Sequence, residues 1–461
     1  MGRKGVAASA VAGWVIIAGA CLPAAWATSS FQSALSEYRA GHYDAAHAGF
    51  LSLAELGDCS SQFNLGAMAL HGQGGPKDPG SGAGWLEAAA GNGCGQLVGD
   101  RLRGLTASLN AEETRAAAAI MARYGPEALH AQGIVNPEFT CRDLRPASVA
   151  AATEPDTSDA AIARYPALVI TALTIGTDGH ARDPEVLLAL PAQGFAAAAV
   201  EAWLNSQFAP AQGAGGPAAS RLEAKTLFAR GTGSLANTEQ VRSVRSAAEA
   251  GDPAASYLLG LAGAYEPSLG ITNARAEQLL LGAARDGNAD AQYWVASQLR
   301  ASAACHPRAD GEVWLRHAAE GGSAAAQLLL ARDLLGGTAG AAQLEQARAL
   351  LELAAHADSS YVRKHVVALF AASPVDAVRN APAALELARR LSAGEIKSDP
   401  QMFESVAAAY AANGDFRNAT AQQQIAVEKA SALRWKTRAM QERLDAYRHG
   451  KAWRGDLLAS S

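Results

Sequence analysis

A ten-residue cassette occurs three times in this chain, and its spacing constrains the fold more than any single residue does. The segment 251–260 (GDPAASYLLG) aligns with 287–296 (GNADAQYWVA) and with 322–331 (GSAAAQLLLA). Measured from Gly260 to Ala296 to Ala331, the steps are 36 and 35 residues, and a fainter copy follows around Tyr361. A fixed period of this length marks a solenoid of stacked helix pairs, each burying its apolar face on the next. Solenoids expose long surfaces that hold partners and rarely carry out chemistry themselves. The expected fold is therefore mainly α, and the expected function is binding.

Composition agrees with close helix packing. Aromatic residues make up only 6% of the chain while Ala and Gly are abundant, so a core must come from helices that touch through small side chains. Net charge is −5 with basic residues scattered. A nucleic-acid partner would require a clustered basic face, and that class is set aside. The 461 residues leave room for about three domains.

The first residues have the pattern of an export signal. Arg3 and Lys4 supply the positive start, Val11 to Leu22 an apolar run, and Ala25-Trp26-Ala27 a small-x-small cleavage site. Gly19 and Pro23 interrupt the run, which is short for a membrane span. Residues 1–27 are thus expected to be removed on export to the periplasm. The alternatives are an anchor over residues 11–27 or lipidation at Cys21, although Ala18 stands where a lipidated Cys usually has Leu. Export places Cys59, Cys94, Cys141 and Cys305 where disulfides persist. Cys59 and Cys94 lie 35 residues apart, about one repeat, near equivalent ends of neighbouring helix pairs. They form the candidate disulfide, subject to the Cα separation a bridge needs. Cys141 and Cys305 receive no assignment, and no C-x-x-C motif is present.

Along the chain, residues 28–145 read as helical. Tyr38, Ala46 and Phe50 share a face broken at Gly41, and a helix carrying Gln62 to Gly66 is followed by a Gly72-to-Asp78 turn and a helix carrying Trp85 to Ala90. Gly66 allows close helix approach, and Asp78 ahead of Pro79 is a helix cap. Residues 146–158 read as a linker. In 159–232 the period changes: a strand over Leu168 to Ile175, a hairpin turn at Asp178-Gly179, a second strand near Pro184 to Leu190, a helix from Ala196 to Trp203, and a third strand over Leu222 to Phe228. Helices resume over 233–395. In 396–461, Met402, Val406 and Tyr410 share a face, Asn413-Gly414-Asp415 breaks it, Ala419 to Ala430 forms the next helix, and Leu433 to Tyr447 caps the end.

Gly66, the Gly72-to-Asp78 turn, Trp85 and Ala88-Ala89 resemble a Sel1-like repeat, a relative of the tetratricopeptide repeat. In the second block Gly251-Asp252 to Gly260, Ala283-Ala284, Trp314-Leu315 and Ala318-Ala319 carry the same likeness, and 396–461 resembles one tetratricopeptide-like unit. The resemblance implies a protein–protein scaffold. The insert is similar to the C-terminal domain of TonB, through Tyr165-Pro166, Asp178-Gly179, the Phe195-to-Trp203 helix, Phe208-Ala209-Pro210 and the strand ending at Phe228. It departs from that family in one respect: no short helix and Gly separate Tyr165-Pro166 from the first strand, which begins directly at Ala167. The whole is a helix-pair solenoid interrupted by a small α+β domain.

Leu222, Glu223, Ala224, Lys225, Thr226, Leu227 and Phe228 are the candidate partner-binding edge strand, since an exposed strand's free backbone groups can template another strand. The competing reading is that this strand pairs only within its own sheet or is blocked by helices. Catalytic patterns are lacking. His42 and His47 are five apart and miss a common helix face, and His306, Asp310 and His317 do not define three convergent ligands. Gly72-Gln73-Gly74-Gly75 has neither a preceding strand nor a following Gly-Lys-Ser/Thr. There is no Gly-x-Ser-x-Gly elbow, and Cys59 has no evident base. Trp85, Trp294 and Trp314 recur at helical positions and read as interhelix packing rather than a binding face. The expectation is an exported scaffold, not an enzyme, without metal or cofactor, binding envelope proteins that include outer-membrane receptors. The alternative is a TonB-type energy transducer, which needs a retained N-terminal helix and a long Pro-rich spacer; a cleavable signal, no His in the apolar stretch and a short linker count against it. A Sel1-like β-lactam hydrolase would need a nucleophile–base pair that the sequence does not present.

Overall fold

The computed structural model describes residues 31–99, 101–135, 137, 139, 145–158, 166–192, 194–228, 235–300, 311–337, 340–393 and 396–458. Cys141, Cys305, His306, Asp310, Tyr165 and the whole of 1–27 lie outside them. Within them the protein is mainly helical with a small sheet portion. The N-terminal part contains α1 (Phe31–Arg39), α2 (Tyr43–Ala54), α3 (Cys59–His71), α4 (Pro79–Ala89), α5 (Gly95–Val98), α6 (Arg101–Ala107), α7 (Ala111–Tyr124) and α8 (Pro126–Ala131). The middle contains β1 (Ser148–Ala151), β2 (Ala167–Ile175), β3 (Ala181–Leu190), α9 (Ala196–Asn205), β4 (Gln207–Ala209), β5 (Ala211–Gly213), β6 (Gly216–Ala218) and β7 (Ser220–Phe228). Helices then run α10 (Glu239–Glu249), α11 (Pro253–Tyr265), α12 (Asn273–Arg285), α13 (Ala289–Arg300), α14 (Glu312–Glu320), α15 (Ala324–Leu335) and α16 (Ala341–Ala354). The last five are α17 (Ser360–Ala372), α18 (Ala381–Ala393), α19 (Pro400–Ala412), α20 (Phe416–Ala432) and α21 (Arg438–Arg448).

The cassette has a definite local geometry. Gly251, Gly287 and Gly322 adopt φ of +87°, +89° and +94°, and Gly57 in the N-terminal part adopts +79°. Only glycine takes this left-handed conformation without strain, and it ends one helix so that the next can start at once. The following residue then caps the new helix: Asp58, Asp252 and Asn288 accept from the backbone N–H groups of Ser61, Ala255 and Ala291. Five residues past the glycine, the buried amides of Gln62, Gln292 and Gln327 donate back to the carbonyls of Ala54, Ala284 and Ala319, at 3.1, 3.0 and 3.2 Å. Each bond staples the end of one helix to the next, on a terminal carbonyl that also accepts from the N–H of the turn glycine. Gly66 faces the neighbouring helix so closely that a Cβ there would sit 2.8 Å from Leu86 Cγ.

The sheet order is β3-β2-β7, antiparallel throughout. β2 and β7 pair without interruption from Ala167↔Phe228 to Ile175↔Ser220. β2 and β3 pair from Leu168↔Leu190 to Ile175↔Ala181 with two irregularities. The second strand starts at Ala181 rather than near Pro184, because Asp183-Pro184 lies inside the strand as a bulge, with Asp183 at φ +55°. Proline cannot donate to a ladder and is tolerated in strands at such interruptions. Residues 148–151, read from sequence as linker, instead form β1 and pair with β4.

The three-stranded sheet is covered on both faces. On one, Phe195 and Ala199 of α9 pack against Ala167, Val169 and Phe228. On the other, Leu168, Ile170, Leu188 and Leu190 enter a core that also holds Tyr257, Leu261, Val295 and Val366, with Leu56, Leu129 and Ile134 from the N-terminal helices. The three regions thus share one core and are not independent beads. α11, α13, α15 and α17 neighbour one another in a row, and the sheet lies on it, with α11 against β2 and β3 and α17 against β3. The chain's own sheet thus covers one face of this helical row. The tryptophans pack: Trp85 stacks on Tyr124, Trp294 meets Phe139 edge-on, and Trp314, fully buried, donates to the Gly133 carbonyl.

Candidate functional site

β7 is the terminal strand of the sheet. Its inner side is paired to β2 along all nine residues, and among the described residues no backbone group pairs with its outer side. The seven residues expected to form a binding edge contribute differently. Ala224, Thr226 and Phe228 are buried, Phe228 with its ring 5.1 Å from that of Phe195, while Leu222 packs half-buried against Leu173 and Phe208. Glu223 and Lys225 point to the helical row: Glu223 accepts from the Tyr265 hydroxyl and from Gln298 Nε2 at 2.6 Å, and Lys225 Nζ reaches Glu266 Oε2 at 3.2 Å. Only Leu227 is both apolar and substantially exposed, at 40%. These side chains hold the strand in place, and the backbone edge is what remains available.

The anchoring extends across the sheet as a buried polar joint, which the sequence reading missed. Glu185 Oε2 accepts from Arg221 at 2.8 Å and from the Tyr293 hydroxyl at 3.1 Å. The bulge turns Asp183 out of the ladder toward α17, and its Oδ1 meets His365 Nε2 at 2.7 Å and Lys364 Nζ at 2.8 Å. The Asp183 N–H donates to Gln401 Oε1. Lys364 also donates to Asp399 at 2.8 Å, and this ammonium is 1% exposed. The signals in the sequence are a proline inside a strand and the run Arg363-Lys364-His365 ahead of an apolar stretch, but neither names its partner.

Burial and pairing set the charges. Burial opposes ionisation of Asp183, yet His365 and Lys364 outweigh it and hold its carboxyl far below the usual range. Burial pushes Glu185 up, and Arg221 offsets this only in part. Lys364 is drawn down by burial and raised again, above its ordinary value, by Asp183 and Asp399. His365 is lowered by burial against the pull of Asp183. Asp183, Glu185, Arg221, Lys364 and His365 each have a titratable or charged partner inside the protein.

Cys59 and Cys94 are joined, with Cα atoms 5.6 Å apart, fastening the start of α3 to the segment after α4. His42 contacts Glu37 at 2.8 Å, and His317 is buried against Glu55. Among the described residues no group of three His, Cys, Asp or Glu is placed to hold a metal ion. Nor is any described helix long and apolar enough to cross a membrane. No protein-family model matches the chain, and no curated protein matches it at a significant level.

Proposed function

We propose that this is an exported envelope scaffold that captures an extended segment of a partner protein by strand addition to β7. The observation that carries the reading is a nine-residue terminal strand whose outer backbone is unpaired among the described residues and whose position is fixed by side-chain bonds to the helices. A held edge loses little freedom on binding, and an extended peptide adds to it through main-chain hydrogen bonds. The recurring Gly–Gln geometry supports reading the helical parts as Sel1-like repeats. The order strand, hairpin, strand, helix, terminal strand supports the TonB-like reading of the insert. Export rests on Arg3, Lys4, the apolar run and Ala25-Trp26-Ala27. The partner class is an envelope protein with an unstructured segment, outer-membrane receptors included.

In-cell photo-crosslinking tests the reading, with a crosslinking residue at Leu227 and a control at Leu353, exposed on α16. Capture of one envelope protein from Leu227 and not from Leu353 is expected, along with a mature N-terminus at Thr28. Equal yields from both positions would refute strand addition, and a mature chain that keeps residues 1–27 would refute cleaved export.

A further inference from the structure

A cavity of about 370 Å³ opens where α13, α15 and α17 meet the chain at residues 455–458. That last segment is tied down by the Gly455 N–H donating to the Ala372 carbonyl at 2.8 Å and by Arg454 donating to the Ala371 carbonyl. Leu457 and Leu458 are buried beside it. Two arginines line the cavity, and they differ. Arg300 is held by both carboxylate oxygens of Asp333, at 2.8 and 2.6 Å. Arg332 is half-buried, and among the described residues its guanidinium has no hydrogen-bond or ion-pair partner. Asp456, also in the lining, is exposed and accepts from the Leu458 N–H. His365 forms part of the wall, with its Nε2 already committed to Asp183. The rest is largely apolar, with Leu329, Leu369, Val375 and Leu457 in the lining.

A cation withdrawn from water without a partner is costly, and the cost disappears when an anion joins it. We propose that this cavity binds a small organic carboxylate, its two oxygens on the Arg332 guanidinium and its apolar body against Leu329, Leu369, Val375 and Leu457. The planar guanidinium fork matches a carboxylate in two parallel hydrogen bonds. The volume falls in the range of small-molecule sites, and their usual make-up is an apolar wall with a few placed polar groups; here Arg300 and His365 are already engaged by Asp333 and Asp183, which leaves Arg332 to meet the ligand. Inorganic phosphate would satisfy the charge and leave the apolar wall unused. The site is independent of the β7 edge, so either reading can fail alone.

The test is calorimetric titration of the full chain with hexanoate, hexanol and inorganic phosphate. Hexanoate is expected to bind saturably and more tightly than either control, and Arg332→Gln to weaken it about tenfold or more. A second measurement requires no variant. Phenylglyoxal modifies accessible arginines, and hexanoate should protect Arg332, while the exposed Arg438 reacts as before, read by peptide mass spectrometry. Hexanoate bound no better than hexanol or phosphate, unchanged affinity in a folded Arg332→Gln protein, or modification of Arg332 unaffected by hexanoate would each overturn the proposal.

Discussion

The second helical block meets the rest of the molecule at two joints built on different principles. Toward the sheet it presents buried Tyr293, Lys364 and His365 to Glu185, also buried, and to the partly buried Arg221 and Asp183. Toward the N-terminal helices it presents the packing of Trp314, largely apolar with one hydrogen bond to the Gly133 carbonyl, and one partly screened cluster. In that cluster His317 lies 3.3 Å from both Glu55 and the Ser52 hydroxyl, with Arg316 at 3.6 Å from Glu55. Apolar contact adheres in many registers, whereas a buried charge tolerates one. The sheet joint is therefore the one that fixes where β7 sits, and the N-terminal joint is the one that can yield.

The largest expected effect comes from splitting the sheet joint. Arg221→Leu leaves the buried Glu185 without its cation, with only the Tyr293 hydroxyl bonded to it, and should cost about 3–5 kcal/mol in urea unfolding. Replacing the group together, as Glu185→Leu with Arg221→Leu and Tyr293→Phe, should recover most of that loss, because well-packed apolar side chains do as well as a buried pair. If the triple variant is as unstable as the single one, the joint supplies net stability rather than register, and the contrast with the N-terminal joint fails.

An intermediate effect belongs to the N-terminal region alone. The Cys59–Cys94 bridge closes a loop spanning 35 residues, and its loss should lower stability by about 3–4 kcal/mol on the chain-entropy model. Cys59→Ser with Cys94→Ser should raise amide exchange in α3 and α4 and leave β2 unchanged. Faster exchange in β2 as well would mean that the shared core couples the two regions more tightly than their joints imply.

What was legible in the sequence was local. The cassette announced its own turn, because Gly287 and Gly322 end one helix and Asn288 starts the next within a few residues. The β2–β3 hairpin was equally plain from Asp178-Gly179. The sheet joint was not, since His365 finds Asp183 182 residues away and Tyr293 finds Glu185 108 residues away, and no window of sequence holds both partners. The anchoring of β7 was hidden for a related reason. Alternation in Leu222 to Phe228 shows that the strand has two faces, but not that Glu223 would meet Tyr265 and Gln298, or Lys225 the Glu266 carboxylate. The linker at 146–158 concealed β1 because four residues make too short a pattern to stand out against their neighbours.

The smallest effect probes the yielding joint through pH. Contact with the His317 ring, against the opposing effect of burial, holds the Glu55 carboxyl below its ordinary value, with Arg316 and Arg123 adding to the pull. A depressed carboxyl contributes stability that is fully present above its unfolded value of 4.5 and is lost as pH falls through the folded value. Glu55→Gln should therefore cost about 1 kcal/mol near neutral pH, the upper end of the scale for a partly screened ion pair. That difference from the parent should shrink as the pH is lowered from 5 toward 3, since the parent then loses what the variant never had. A gap that stays constant over this range would mean that Glu55 acts through packing and not through its charge. A gap that widens would rule out a depressed Glu55 carboxyl, since the parent can only lose that contribution as the pH falls.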